Sequence, residues 1–323
     1  MKSIIQVKTI RYFRAGSSEN SPSPEPALPP TLNNNQNFIK NPKHFPFLNL
    51  NLETSEVLSE SSDSFELFLK QIQENGAPEF VTQKNVLTRI ATSSDPSSES
   101  SEGIRVFRKS GVTFLWSGEK QEEDCCQKKY EKLFKDYFLG TSEQKVFGIF
   151  EATIPGGAKV YYFGEVDGRD ANQQHLAFRV VRYATTTLNF WKEKSCEFFW
   201  DCVFGNVPIL MLGTRTGTMD DDPKTREPLC YSELSVYKLE NLPQESIPSL
   251  ASTFADKSKG KFVPWSIMDG ESELQEFFRL VQATVTQEDA FFTFSKNGSS
   301  WKIKNVTAND MDYCDLISTI FSN

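Results

Sequence analysis

With 323 residues, 38% of them hydrophobic and 13% aromatic, the chain has the material for one large or two ordinary globular domains. Its net charge of −8 excludes a surface that gathers nucleic acid by unspecific attraction, so an RNA site has to be a local basic pocket, and DNA is not an expected partner. Six cysteines (Cys125, Cys126, Cys196, Cys202, Cys230, Cys314) form no CxxC pair, and the two histidines are His44 and His175; this excludes a zinc site at the usual spacings and predicts reduced core thiols.

The opening MKSIIQVKTIRYFRAG is basic and mildly apolar but lacks the hydrophobic run of a signal peptide, and no stretch of about 18 apolar residues follows. No membrane partner is expected, and the protein is expected in the nucleus, the cytoplasm or both; the sequons at Asn297 and Asn305 then read as chance matches. Residues 15–40, rich in Pro, Ser and Asn, hold too little apolar material to offset the entropy of ordering them. They predict a flexible leader over 1–41 and a single domain over 42–323.

Phe65, Phe68, Leu69 and Ile72 recur at helical spacing after Asp63 and Ser64, either able to cap, with Gly76 where the helix would stop. The polar run ATSSDPSSESSEG at 91–103 predicts a surface loop. Strands are predicted at VTFLWS, VFGIFEA, KVYYFGEV, HLAFRVVRY and PILMLGT. Helical stripes are carried by Tyr130, Leu133, Phe134 and Tyr137, by Leu188, Trp191, Phe198 and Cys202, and by Leu274, Phe277, Phe278, Val281 and Val285. GRDANQ, lying between two strands, predicts a hairpin and therefore a mixed sheet.

The stretch YYFGEVDG runs an apolar strand straight into Glu165 and Asp167. Side chains two apart share a face, so the two carboxylates can converge on one cation such as Mg²⁺; the same pattern also suits a solvated strand end. On the following strand Ala177 and Arg179 share a face, and Arg179 either steers a phosphate or neutralises the acids as an ion pair. Lys194 and Asp201 lie on one side of the helix over 188–204, with Glu197 beside them. His175 next to this region reads as a strand-end histidine satisfied by solvent, with a substrate contact as the alternative. The aspartates of TGTMDDDPKTREP (216–228) lack calcium-loop spacing, and Cys125 and Cys126 sit beside acids that disfavour a thiolate.

Taken in order, these pieces resemble the decapping exoribonuclease (DXO) family, which removes NAD or defective caps from RNA 5′ ends and degrades the exposed strand. The resemblance spans residues 78–310. It runs from PEFVTQKNVLTRIATSS through GVTFLWSGE and KKYEKLFKDYF to FGEVDG, which matches the family's Glu-x-Asp motif, then through HLAFRV, FWKEKSCEFFWDCVFGNVPILMLGTRT and FFRLVQATVTQED. It implies an α+β fold of two twisted mixed sheets flanked by helices, around a core like that of the metal-dependent restriction nucleases. It also implies Mg²⁺ or Mn²⁺ on the acidic residues, Glu165 and Asp167 among them, activating water against a phosphodiester.

The site departs from the family pattern at several positions. Lys84 stands for an arginine, Lys135 for a helix glutamate, Ala177 and Arg179 for the Glu-x-Lys pair, and Asp201 for a glutamine, while Glu165, Asp167 and Arg215 are kept. The changes at 135, 177 and 201 leave the pocket two units more positive, which predicts steeply reduced metal affinity and a Lys135 ammonium in the vacated cation position, paired with Glu165, Asp167 or Asp201.

The preferred expectation is an RNA 5′-end or nucleotide-binding protein whose hydrolysis is weak or lost, with Lys84, Glu165, Arg179, Asp201 and Arg215 lining the substrate pocket. Two alternatives stay open. One is a working hydrolase with Glu165, Asp167 and Arg179 as catalytic groups and Asp201 completing a weak metal set; a 5′–3′ exoribonuclease is a candidate partner on this reading as on the preferred one. The other is a protein-binding scaffold without RNA.

Overall fold

The computed structural model describes residues 3–15, 24–33, 37–46, 48, 63–73, 78–93, 103–117, 125–140, 145–181, 190–215, 231–242, 265–306 and 313–321. Its strands are β1 (Gln6–Ala15), β2 (Pro24–Pro26), β3 (Phe80–Gln83), β4 (Ile104–Lys109), β5 (Val112–Ser117), β6 (Phe147–Thr153) and β7 (Lys159–Glu165), then β8 (Gly168–Arg169), β9 (His175–Val181), β10 (Ile209–Arg215), β11 (Tyr231–Lys238), β12 (Phe291–Asn297) and β13 (Ser300–Asn305). Helices are α1 (Asn37–Lys40), α2 (Asp63–Gln73), α3 (Lys84–Ala91), α4 (Cys125–Leu139), α5 (Ser195–Phe204, entered through a π turn at Phe190–Lys194), α6 (Ile267–Thr284) and α7 (Cys314–Phe321).

Two mixed sheets result, as expected. One has nine strands in the order β13-β12-β4-β5-β3-β7-β6-β1-β2, with β3 parallel to both β5 and β7; the other has the order β11-β10-β9-β8, with β9 parallel to β10. Alternation along each strand gives every sheet two apolar faces, and helices cover them. Val160 and Tyr162 of β7 and Ala177 and Val181 of β9 share one core with α3, α5 and α6. Tyr161 and Phe163, pointing the other way, pack with α2 and α7, while Phe178 and Val180 pack with Phe134 and Phe138 of α4.

Local chemistry explains the helix positions. The predicted stripe of α2 is buried, with Phe65, Phe68, Leu69 and Ile72 each at most 2% exposed. Helix α6 starts where Ser266 Oγ accepts the Met268 N–H at 3.1 Å, and it buries Leu274, Phe277, Phe278 and Val281. The C-terminus of α5 is held from both sheets: Tyr162 of β7 donates its hydroxyl to Phe204 O at 2.9 Å, and His175 of β9 lies 2.9 Å from Gly205 O. Helix-end carbonyls need such partners, and these two side chains fix α5 against the middle of β7 and the start of β9.

That arrangement corrects the reading of His175. It is buried, not solvated. Because a carbonyl can only accept, Nδ1 carries the proton towards Gly205 O, and Nε2 accepts from the Tyr12 hydroxyl at 2.6 Å. Burial, more than the nearby Arg169, keeps the ring below the ordinary histidine pKa and therefore neutral.

Two further corrections concern topology. The segment expected as a leader contains β1, paired with β6 from Gln6 to Phe13 and burying Phe13, as well as β2 and the buried Leu32. The GRDANQ hairpin joins β8 to β9, not β7 to β9, so β7 and β9 belong to different sheets. Its turn is shaped by Asp170 Oδ1, which accepts from the N–H groups of Asn172 at 2.8 Å and Gln174 at 2.9 Å.

Cys196, Cys202 and Cys314 are buried, reduced thiols, as expected. Gly76, residues 94–102 of the predicted polar loop, the aspartate-rich 216–228 and Cys230 lie outside the described residues, as do the side chains of Cys125 and Cys126. Among the described residues no helix is long and apolar enough to cross a membrane.

Candidate functional site

Glu165 ends β7, and Asp167 follows it before β8 begins; their parity directs both carboxylates towards the junction of the two sheets with α4 and α5. Lys135 reaches them from α4, Arg179 from β9, Asp201 from α5, and Lys84 from the first turn of α3. The stem of Lys84 lies directly over Gly164. A Cβ there would stand 2.8 Å from Lys84 Cβ and 2.9 Å from its Cδ, so the glycine of FGEVDG is what lets Lys84 cross β7 to Asp201.

The charges form a chain of alternating sign. Lys145 Nζ is 3.2 Å from Glu165 Oε2, and Lys135 Nζ is 2.7 Å from Glu165 Oε1 and 3.4 Å from Asp167 Oδ1. Asp167 Oδ2 accepts from Arg179 Nη1 at 2.8 Å and from the Phe178 N–H at 3.0 Å. Arg179 Nη2 then donates to Asp201 Oδ2 at 2.5 Å, and Lys84 Nζ closes on Asp201 Oδ1 at 2.7 Å. Four cations face three carboxylates, a sum of +1. Glu131, one turn before Lys135, contributes a further acid towards Arg179 and sits 3.5 Å from the Val180 N–H.

Burial alone would raise the carboxyl pKa values, but the cations reverse that. Arg179, then Lys135 and the Phe178 N–H, hold Asp167 well below the ordinary carboxylate range; Lys135 and Lys145 lower Glu165, and Lys84 and Arg179 lower Asp201. Burial would likewise lower Lys135, yet Glu165 and Asp167 outweigh it and keep the ammonium charged beyond the usual lysine range. Carboxylates with depressed pKa values contribute stability above their unfolded pKa of about 4 and lose it as pH falls through the folded values below that. The urea midpoint should therefore hold on acidification from neutrality to about pH 5 and fall below about pH 4, and an Asp167→Ala variant should show a shallower acid limb.

Several expectations about the site can now be placed. Lys84, Lys135, Glu165, Asp167, Arg179 and Asp201 are brought together, and the Lys135 ammonium bridges Glu165 and Asp167 as the charge count predicts, but it does not bridge Asp201. The guanidinium of Arg179 stands between Asp167 and Asp201, so the three acids do not converge on one point. Ala177, 2% exposed, packs in the core between the sheets. Lys194 pairs with Glu197 at 2.9 Å on the exposed face of the helix, away from these groups. Arg215 ends β10, its backbone opposite Tyr231, and its side chain lies outside the described residues. Lys145 and Glu131 had no motif to announce them.

The donor set does not fit a divalent ion. Glu165 and Asp167 each give their nearer oxygen to Lys135, and among the described residues no group of three or more His, Cys, Asp or Glu side chains could hold a metal. A divalent ion about 4 Å from the Lys135 ammonium would be repelled by about 8 kcal/mol at an effective dielectric of 20.

No family model matches the chain, and no curated protein matches its sequence. Solved structures do. Rai1 of Scheffersomyces stipitis, in complex with (3′-NADP)⁺ and calcium ion, superposes with a TM-score of 0.70 at 10% identity, covering 96% of this chain and 92% of its own. Dxo1 of K. lactis, in complex with manganese, gives 0.68 at 11% identity, covering 95% and 92%, and Rai1 of Candida albicans, in complex with pU5-Mn²⁺, gives 0.66 at 10%, covering 99% and 96%. This chain has the Rai1/Dxo1 fold. The resemblance read around FGEVDG is borne out at that level, and the superpositions cover 95% to 99% of the chain, more than the span of residues 78–310.

Proposed function

We propose that this protein is a divergent relative of the decapping nucleases that binds RNA 5′ ends or nucleotides and hydrolyses them weakly or not at all. The observation carrying this reading is the Lys135 ammonium held between Glu165 and Asp167, at the pair of acids that the family resemblance assigns to the metal. It is supported by Rai1 structures with the same fold that are described as complexes with pU5, (3′-NADP)⁺ and 3′-FADP. Lys84 and Arg179 supply the anion-binding groups: an ammonium has three N–H donors and a guanidinium five, and the hydrogen bonds to Asp201 and Asp167 use only part of these. Glu165 and Asp201 shape the pocket by orienting these cations, with Arg215 a further candidate. We place the protein in the nucleus or cytoplasm, where RNA 5′ ends are processed, with a 5′–3′ exoribonuclease as a candidate partner.

Fluorescence anisotropy with 5′-monophosphorylated and NAD-capped RNA, together with gel analysis of products in Mg²⁺ or Mn²⁺, tests the reading. Binding without product is expected, weakened about tenfold or more by Lys84→Met or Arg179→Met, the loss of one charge-assisted contact. A product that disappears in Asp167→Ala would instead establish the working hydrolase, and no binding at all would leave the scaffold.

A further inference from the structure

We propose that Lys135 and Lys145 together are a built-in substitute for the divalent cation, so that the pocket is permanently charged and its ligand binding needs no metal. The proposal deepens the RNA-end reading for its binding arm and stands on geometry alone for its cation arm.

The two ammonium groups meet opposite oxygens of Glu165, Lys135 on Oε1 at 2.7 Å and Lys145 on Oε2 at 3.2 Å, and Lys135 also reaches Asp167 Oδ1. Two single charges thus stand where one double charge would be needed to hold the same acids together. They come from different parts of the chain, Lys135 from α4 and Lys145 from the segment entering β6. Both are tethered, so neither carries the translational cost of recruiting an ion from solution. Each has a distinct place. Lys135 is 25% exposed and joins α4, on the outer face of the smaller sheet, to the end of β7 in the larger one, whereas Lys145 stays within the larger sheet's own edge of the pocket at 28%.

The neighbouring charges agree with this division. Arg179 already satisfies Asp167 Oδ2, and Lys84 and Arg179 satisfy Asp201, so among Glu165, Asp167 and Asp201 the carboxylate oxygens left for an ion are the three that the two lysines engage. Removing both lysines would therefore free Glu165 and Asp167 as a pair, which is the arrangement a divalent ion takes with water filling its remaining positions. Methionine keeps most of the lysine stem and discards the charge.

The experiment uses the full chain and compares melting midpoints in millimolar MnCl₂ and in EDTA for wild type, Lys135→Met, Lys145→Met and the double variant, alongside RNA anisotropy under the same two conditions. Wild type should be indifferent to Mn²⁺, while the double variant should gain about 3 °C or more from it, as expected for an ion binding only the folded state, with Lys135→Met intermediate. Manganese stabilisation of wild type that vanishes in Asp167→Ala would overturn the proposal. So would a folded double variant that ignores Mn²⁺. Should the double variant fail to fold, wild-type affinity for 5′-monophosphorylated RNA decides: equal values in EDTA and Mn²⁺ within about twofold support the substitution, and a tenfold gain with Mn²⁺ overturns it. Absence of RNA binding in both conditions overturns the RNA reading alone, because the wild-type Mn²⁺ response in melting still decides the cation.

Discussion

Asp167→Ala should lower unfolding free energy by about 3–5 kcal/mol, the cost of removing one partner from a buried ion pair and leaving the other charges uncompensated. The size follows from position. Asp167 is 11% exposed and is the middle link of the chain, taking Lys135 on one oxygen and Arg179 with the Phe178 N–H on the other. Its loss leaves a guanidinium and an ammonium facing each other across an empty site, and one orphaned backbone donor. Urea denaturation measures the change. Combining the variant with Arg179→Met should cost less than the two separate losses added together, by about 1–3 kcal/mol, because the second substitution removes the charge that the first left unpaired. Strict additivity, or a loss below about 1 kcal/mol, would mean that the carboxylate is well solvated and that the pairing contributes little.

Such a chain of charges also accounts for what the sequence disclosed and what it withheld. Glu165 and Asp167 were legible because a strand has a period of two, and YYFGEVDG shows both its apolar alternation and its acidic end. The stripes of α2, α4 and α6 were legible because an apolar helix face repeats every three or four residues; those of α2 and α6 are buried as the pattern requires, while in α4 Tyr130 and Phe134 are buried and Leu133 and Tyr137 only partly. By contrast β1 breaks its own signal: its pairing with β6 shifts register between Thr9 and Arg11, so QVKTIRYFRA does not alternate cleanly, and the Pro-rich segment after it suggested disorder. The β12–β13 hairpin carried a readable Asn297-Gly298 turn, with Gly298 at φ +57°, but Lys and Ser residues obscured the flanking strands.

The site was only half visible for a different reason. Its charged residues come from β7, the segment after it, α4, β9, α5, α3 and the approach to β6, and local spacing says nothing about which oxygen meets which cation. Counting charge, together with the family resemblance, put Lys135 among the acids, and left open whether it would meet Glu165, Asp167 or Asp201. It could not show that Arg179 would separate Asp201 from Asp167, which depends on β9 lying in a second sheet. Nor could it find Lys145, which no motif marks.

Gly164→Ala is expected to disturb both stability and binding through a single methyl group. The added Cβ would lie 2.8, 2.9 and 3.1 Å from Lys84 Cβ, Cδ and Cε. Its nearest contact is with the root of the side chain, not its free end, so rotating the ammonium away does not relieve it. The N-terminus of α3 would have to lift from β7, yet the buried Val86, Leu87 and Ile90 tie that helix into the core it shares with α5 and α6. Overpacking of this kind costs about 1–3 kcal/mol, and any shift of Lys84 also loosens its 2.7 Å contact with Asp201. Denaturation should register the loss of stability and RNA anisotropy a loss of affinity comparable to that of Lys84→Met, which keeps the Cβ and spares the core. Wild-type stability with wild-type affinity in Gly164→Ala would show that the lysine stem can slide aside, and that the glycine of FGEVDG is not what routes Lys84 into the pocket.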